Sequence, residues 1–491
     1  MSTRVVWLGW PHAPAPLAAI RAAKRAGPLQ LVDDAGRAVR WNLPRALREV
    51  VRIGWQRLTT AGVALLAWLL TGKRPAPAPT TTGNQGPVVL LLPVLPDLSH
   101  TFVYREVLAM LRQRPDWRVF VLRRNDRAPV HPEARELLAH ATFLPRDGVT
   151  RAARRVVGWL GSSRGRDLFA LYRAEPHGSV HDLLGKPVLR EAHHPGNAFL
   201  LADTLRALQP RHLHVYGSTW PTNVAMGASR LLGVPFSVSS YVDFQFEYSH
   251  RMLATKFRDA RFFRVVTAYC REQLQGMLPA ARQERERVPV VYLGLDLSAW
   301  HDDAPLPGQG VLVSAARLVP KKGLHVVPAA LASLRARGQR CRWRVLGDGP
   351  ERESLQQACE RHGVGDLVDF LGPCDNTVVR TELMQADLAV LPCVVATDGE
   401  RDGIPIFLVE AMALGVPVVT TPVSGIPELV RDGDTGFLAS PGDSSTLAEA
   451  LFRALSAPAT ARAIGQRGRA AVHAQLDVDV MTRALIARIE A

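Results

Sequence analysis

From residue 88 onward the chain alternates between short, wholly apolar runs and longer stretches in which apolar positions recur every three or four residues. The first run, VVLLLPVLP, opens with continuous apolar positions, not alternating ones, which marks a strand buried on both faces. A helix is predicted near 101–113, a strand over WRVFVLRR, another over HLHVYG (212–217), a helix near 221–232, and a strand over PFSVSSY. FFRVVTAY and VPVVYLGLD carry the strand pattern on to about residue 297. The alternation then restarts: GVLVSAARL as strand, 323–337 as helix, CRWRVLGDG as strand, ERESLQQACERHG as helix. VDFLG, ADLAVLP, VPVVTTP and a short TGFLAS supply further strands, and 470–491 reads as a closing helix. Repeated strand–helix alternation implies an α/β fold with parallel sheets covered on both faces. Two similarly built halves of about 200 residues each should therefore face one another across a cleft. Ligands of such sheets bind beyond the carboxyl ends of the strands.

Two tracts too rich in Pro, Gly and polar residues to pack punctuate this pattern: KRPAPAPTTTGNQGP (73–87) and HDDAPLPGQG (301–310). They divide the chain into a segment 1–86, a first domain 87–300, a second domain 310–470, and a C-terminal helix 471–491.

Composition adds little to the second half but changes the picture at the start. With 491 residues, 47% hydrophobic and 21% charged, the chain is a folded protein too long for one core. Its cysteines, at 270, 341, 359, 374 and 393, show neither CxxC nor zinc-finger spacing, so reduced thiols and no metal site are expected. The net charge of +15 is concentrated: residues 1–86 hold twelve Lys and Arg against three acids. Within them LTTAGVALLAWLLTG (58–72) is uncharged for fifteen residues. That is shorter than the about eighteen a spanning helix needs, and it lies too far from the start for a signal peptide. Peripheral contact with an anionic membrane surface is one reading of this basic and apolar segment. A helix docked on the rest of the protein is the other. Nucleic acid is not expected, because no recognition motif accompanies the charge.

The candidate chemistry lies in the second half. Arg317 and Lys322, in RLVPKKG, put two cations just past a predicted strand, where phosphates bind; an exposed basic loop is the plainer alternative. LGDGP (346–350) is a glycine turn whose backbone could approach a ligand closely. ERDGIPIFLVEAMALG (400–415) places Asp402 and Glu410 eight positions apart in an otherwise apolar run. Gly403 and Pro405 mark a loop turning into a helix, with Pro405 near its first position. Eight helical positions span about 12 Å, comparable to the distance from a nucleotide's ribose to a sugar beyond its diphosphate. The helix N-terminus between the two acids would offer free N–H groups to that diphosphate.

In order and spacing RLVPKKG, LGDGP, FLGPCD, ADLAVLP, DGIPIFLVEAMALGVPVVTT, SGIPELV and TGFL resemble the retaining GT-B glycosyltransferases of family four. They are most similar to the bacterial branch that builds colanic-acid-like exopolysaccharides and capsules. The family's pattern is Glu, seven residues, Glu; here Asp402 stands in the first place and Glu410 in the second. The resemblance implies a GT-B fold, two Rossmann-like domains facing a central cleft, with acceptor domain first and donor domain second, behind the basic N-terminal extension. It implies transfer of a sugar, with retention and without a metal or other cofactor, from a nucleotide-diphosphate sugar to a glycan or polyprenyl-diphosphate-linked acceptor in the cytoplasm. Arg317 and Lys322 would neutralise the donor diphosphate. Glu410 would bind the ribose hydroxyls. Asp402, with the backbone of Gly403, Ile404 and Pro405, would hold the donor sugar, and Gly347 and Gly372 would line the donor pocket. In such enzymes the leaving phosphate takes the acceptor proton, so Asp402 and Glu410 would not be a hydrolase pair.

The first half matches more loosely. DLSHTFVYREV (97–107) resembles the branch's Ser-Glu-Thr-Phe-x-x-x-Glu, with His100 in place of the acid. Ser99, His100 and Thr101 would then face the acceptor. The branch usually carries histidine where this chain has Tyr216 and Tyr241, the second of them at the active centre. These tyrosines would either reshape the pocket or mark a catalytically silent partner of an active transferase. A two-domain nucleotide-sugar epimerase shares the architecture but fits the donor motifs less well. His212 and His214 read as structural, and Trp220 and Phe244 as packing residues.

Overall fold

The computed structural model describes residues 4–7, 29–32, 85–97, 101–126, 132–145, 155, 158–174, 194–241, 252–298, 300, 304 and 306–491. Strands β1 (Arg4–Trp7) and β2 (Leu29–Val32) pair in parallel. The 58–72 segment, Ser99, His100 and Phe244 lie outside the described residues.

Residues 75–395 and 401–491 cluster as one compact unit. It contains two six-stranded parallel sheets. The first lobe is built on β3 (Val88–Leu95), β4 (Arg118–Arg124), β5 (Ala141–Phe143), β6 (His212–Tyr216), β7 (Phe236–Ser240) and β8 (Phe263–Val265), in spatial order β5-β4-β3-β6-β7-β8. The second is built on β9 (Val311–Ala315), β10 (Arg342–Leu346), β11 (Val368–Gly372), β12 (Leu388–Leu391), β13 (Val418–Thr420) and β14 (Phe437–Leu438). Its order is β11-β10-β9-β12-β13-β14. Both sheets thus repeat one doubly wound order, in which the chain reverses direction beside the first strand and opens a crevice there. The apolar runs explain this topology: β3 and β12 are buried along almost their whole length, as central parallel strands must be.

Helix α1 (Thr101–Gln113) follows β3 and α2 (Pro132–His140) follows β4. Glu106, on α1, is buried and forms a bidentate pair with the fully buried Arg264 of β8, at 2.7 and 3.1 Å. The same guanidinium donates to the Val291 and Tyr292 carbonyls at 2.7 and 3.1 Å, so it fixes the segment that leaves the first lobe. His212 and His214 are buried on β6 and share hydrogen bonds with Ser237 and Ser239. Burial depresses both imidazoles, that of His212 to about 3, which suits neutral structural groups.

Two expectations change. VPVVYLGLD is not a strand: beyond isolated bridges from Val290 to Val265 and from Leu295 to Asp477 it crosses between the lobes as an extended segment held by Arg264. The closing helix does not run from 470. Helix α6 (Pro458–Gln475) runs through that point, and α7 (Val478–Glu490) begins after a break at which Leu295 N donates to Leu476 O and Val478 N to Leu295 O. Helix α7 then returns to the first lobe, burying Leu485, Ile486 and Ile489 in the cluster of Val88, Leu90 and Trp117. Gln113 of α1 donates to Thr482 of α7 at 2.7 Å. The chain therefore crosses between lobes twice, side by side.

Candidate active site

The loops beyond the carboxyl ends of β9, β12 and β13 converge. After β9 the chain turns through Arg317, which is exposed and makes no side-chain hydrogen bond or ion pair among the described residues, then through a short 3-10 turn Pro320–Lys322. The LGDGP turn lies beneath this loop. A Cβ on Gly347, at φ +124°, would lie 1.9 Å from the Ala316 carbonyl oxygen, and Gly347 N donates to Gly372 O at 2.7 Å. What approaches Gly347 closely is thus the chain's own backbone, and the turn's work is to support the Arg317 loop.

Lys322 Nζ lies 2.6 Å from Asp402 Oδ2, and Lys321 Nζ 3.4 Å from Oδ1. Burial pulls the Lys322 ammonium down, but Asp402 beside it holds it above the ordinary lysine value. Burial likewise raises Asp402, and the two lysines more than offset this, leaving it below the usual carboxylate range. Both groups are ionised at neutral pH. The Cys393 thiol, 3.9 Å from Asp402, is pushed up to about 12 by burial and by that carboxylate.

Helix α5 (Ile406–Ala413) begins one residue after Pro405, which is its cap. Every residue from Phe407 to Ala413 is buried, Glu410 included, as the apolar run required. Such a helix is held by tertiary packing on all sides. Glu410 Oε1 faces the other lobe, 3.4 Å from Arg105 Nη1 of α1, while Arg105 Nε donates to Glu133 of α2 at 3.1 Å. A cavity of about 290 Å³ begins at Arg105 and Glu133 and runs past Asn376 and Arg380 of helix α4 (Asn376–Met384) to Asp296 and Trp300.

Burial pushes the Glu410 carboxyl up to about 7, with Arg105 pulling the other way without cancelling it. The folded value lies above the unfolded one, so this group's stabilisation is complete below pH 4.5 and is lost as pH rises through about 7. Glu410→Gln is therefore expected to stabilise the ligand-free protein by about 1–3 kcal/mol at pH 8 and by little at pH 5. Thermal unfolding at the two pH values checks this; equal shifts at both would show that Glu410 carries no such strain.

A Cβ on Gly403 would lie 3.7 Å from Tyr241 O and 3.9 Å from Thr267 Cγ2, so the Asp402–Pro405 loop meets the first lobe there. Tyr241 is buried, its hydroxyl without a partner among the described residues, with Phe102 edge-on at 5.0 Å and Tyr216 stacked at 6.0 Å. Tyr216 is wholly buried, and its hydroxyl donates to Met110 Sδ at 3.5 Å; it packs in the core of the first lobe and does not line the cleft. Thr101 opens α1 and is half-buried. Sequence reasoning passed over Lys321, whose signal was its place beside Lys322, and Arg105 and Glu133, which had none. Arg105 meets Glu410 from 305 positions away.

Residues 299–471 match the family described as Glycosyl transferases group 1. Over 178 residues the chain is 39% identical to the putative colanic acid biosynthesis glycosyltransferase WcaL of Salmonella typhimurium, covering 36% of this chain and 44% of that one. Over 223 residues it is 36% identical to the Escherichia coli protein of the same name, covering 44% and 54%. The amylovoran biosynthesis glycosyltransferase AmsK of Erwinia amylovora is 34% identical over 179 residues, 36% of this chain and 44% of that one. The matched region thus spans about half the length of these curated relatives. Among solved structures, Anabaena HepE in complex with UDP and glucose aligns with a TM-score of 0.59 at 19% identity, over 82% of this chain and 99% of that one. Sucrose-phosphate synthase from Thermosynechococcus elongatus aligns with 0.59 at 16%, over 82% and 98%. At these identities the likeness is one of fold, and the fold is GT-B: two parallel six-stranded Rossmann-like lobes.

Proposed function

We propose that the protein is a retaining glycosyltransferase that moves a sugar from a nucleotide-diphosphate sugar to a glycan in exopolysaccharide, capsule or other cell-envelope synthesis. The observation that carries this is that Lys322 pairs with Asp402 at 2.6 Å, four residues ahead of the start of α5, and that α5 carries the buried Glu410. Cations, a helix N-terminus and a buried carboxylate follow one another there in the order of a diphosphate between a sugar and a ribose. The names of the exopolysaccharide relatives and the UDP and glucose bound by HepE support the same substrate class.

In this reading Arg317, Lys321 and Lys322 face the diphosphate and stabilise the negative charge that grows as the bond from the anomeric carbon to the phosphate oxygen breaks. The acceptor hydroxyl oxygen forms its bond to the anomeric carbon on the same face, and its proton passes to the departing phosphate oxygen. Atoms and charge balance without a protein nucleophile or a bound metal. Glu410 accepts from the ribose hydroxyls, and Asp402 with the backbone of Gly403, Ile404 and Pro405 orients the sugar. The second-lobe wall of the cavity, at Asn376 and Arg380, offers the nucleoside a recess. Gly372, backing the turn at Gly347, closes the base end.

A polyprenyl-diphosphate-linked acceptor at the inner face of the cell membrane fits the basic character of residues 1–86. No helix among the described residues is long and apolar enough to cross a membrane; the fifteen uncharged residues of 58–72 fall short of a span, and peripheral contact is the form proposed. The test is to supply purified protein with labelled UDP-, GDP- or ADP-sugars and a lipid-linked acceptor, and to read the anomeric carbon of the product by NMR. Retained configuration is expected; an inverted product, or no transfer from any donor, would overturn the proposal.

A further inference from the structure

One carboxylate bridges the lobes at a place the transfer chemistry does not use. Glu428, in the SGIPELV loop after β13, belongs to the second lobe. Its Oε2 accepts from Ala268 N at 2.8 Å and its Oε1 from Tyr269 N at 2.9 Å. Those N–H groups open helix α3 (Ala268–Met277) of the first lobe. Oε2 also accepts from the Tyr292 hydroxyl at 2.8 Å, on the segment that crosses between the lobes. Burial and Glu428 together hold that phenol above its ordinary value, so it remains a donor.

The helix is built to receive an acid from elsewhere. Its first turn contains none, and its own cap, Thr267, serves only Cys270 N, at 3.0 Å. Helix N-termini favour negative charge, and each charge-assisted hydrogen bond is stronger than a neutral one. The loop that carries Glu428 also touches the donor side. A Cβ on Gly425 would lie 2.5 Å from Thr267 Cγ2 and 3.3 Å from Ile404 Cγ1, so only glycine lets the two lobes close on one another here. Around this point Val266 and Leu293 of the first lobe and crossing segment line one seam with Ile404, Ile406 and Val409 of the second.

We propose that Glu428 is a positioning residue that clasps the second lobe to the N-terminus of α3 and thereby holds the Gly403–Pro405 loop at its working distance from the acceptor side. The effect on transfer rests on the function proposed above; the clasp itself does not. The test uses Glu428→Ala and Glu428→Gln in the full-length chain, with small-angle scattering, calorimetric titration of UDP, GDP and ADP, and turnover. Glu428→Ala is expected to enlarge the radius of gyration and to leave the affinity for the nucleotide that binds within about twofold, because the second lobe holds it. Turnover should fall by about tenfold to hundredfold, the scale of a reacting group displaced by an ångström. Glu428→Gln keeps one accepting oxygen and is expected to recover part of both the compactness and the turnover. An unchanged radius of gyration in Glu428→Ala would overturn the clasp, and so would nucleotide affinity falling in step with turnover. Should Glu428→Ala not fold, the same readouts on Glu428→Gln decide. If no nucleotide binds the unaltered protein, the proposed function fails, while the scattering comparison still decides the clasp.

Discussion

Lys322→Ala is expected to lower sugar transfer by about a hundredfold to a thousandfold, the cost of removing one donor aimed at developing charge, while the protein stays folded. Lys322 lies 2.6 Å from Asp402, and both are largely shielded from water. In the ligand-free protein the carboxylate balances the two lysines, and a bound diphosphate would draw them toward itself. The loss should therefore fall mainly on turnover, because Arg317 and Lys321 remain to attract the donor in the ground state. Lys321 also remains 3.4 Å from Asp402, so that carboxylate is not left unpaired and stability should change little. Turnover and donor KM measured together check this, with thermal unfolding as the control. Near-wild-type turnover would remove Lys322 from the chemistry.

The largest expected effect on stability lies far from these groups. Glu106→Ala should destabilise the protein by about 3–5 kcal/mol, because it strands the buried Arg264 charge. That guanidinium has no access to solvent, and its remaining bonds go to the Val291 and Tyr292 carbonyls and to Ser239. Those neutral acceptors can orient the cation but cannot balance it. Replacing both partners, Glu106→Ala with Arg264→Met, should recover much of the loss, since an apolar pair leaves no buried charge behind. Urea unfolding of the two single variants and the double variant measures this. A single-variant loss below about 1 kcal/mol would mean that the pair is more hydrated than its burial implies.

How much of this was legible in the sequence follows from the range of each interaction. The apolar runs at 88–95 and 388–391 became central strands because burial on both faces is written into consecutive residues. Pro405 marked the start of α5 to within one residue, since the missing N–H and the fixed φ act locally. VPVVYLGLD misled for the opposite reason. Its apolar residues suit a strand, but the partner that decides its path is Arg264, which ties it down between the lobes. The return of α7 to the first lobe was equally invisible, because an apolar helix face does not record which lobe it covers. In the candidate site, Asp402 and Glu410 share one motif and Lys322 lies in another just past a strand, so all three could be named from local sequence. Arg105 and Glu428 could not, because each acts across the cleft on a partner distant in sequence. Tyr216 shows the same limit: its place on β6 could be read, but not that its side chain turns into the core.

The central claim is that the second lobe holds a nucleotide-diphosphate sugar with its ribose at Glu410 and its diphosphate at Lys322. The most direct measurement is a calorimetric titration of UDP-, GDP- and ADP-sugars into the unaltered protein and into Glu410→Ala side by side. One of the three should bind the unaltered protein at a single saturable site, and Glu410→Ala should bind it at least about tenfold more weakly, the loss of about one charged hydrogen bond to the ribose. Saturable binding that is equally tight in both proteins, or no binding of any of the three, would contradict it.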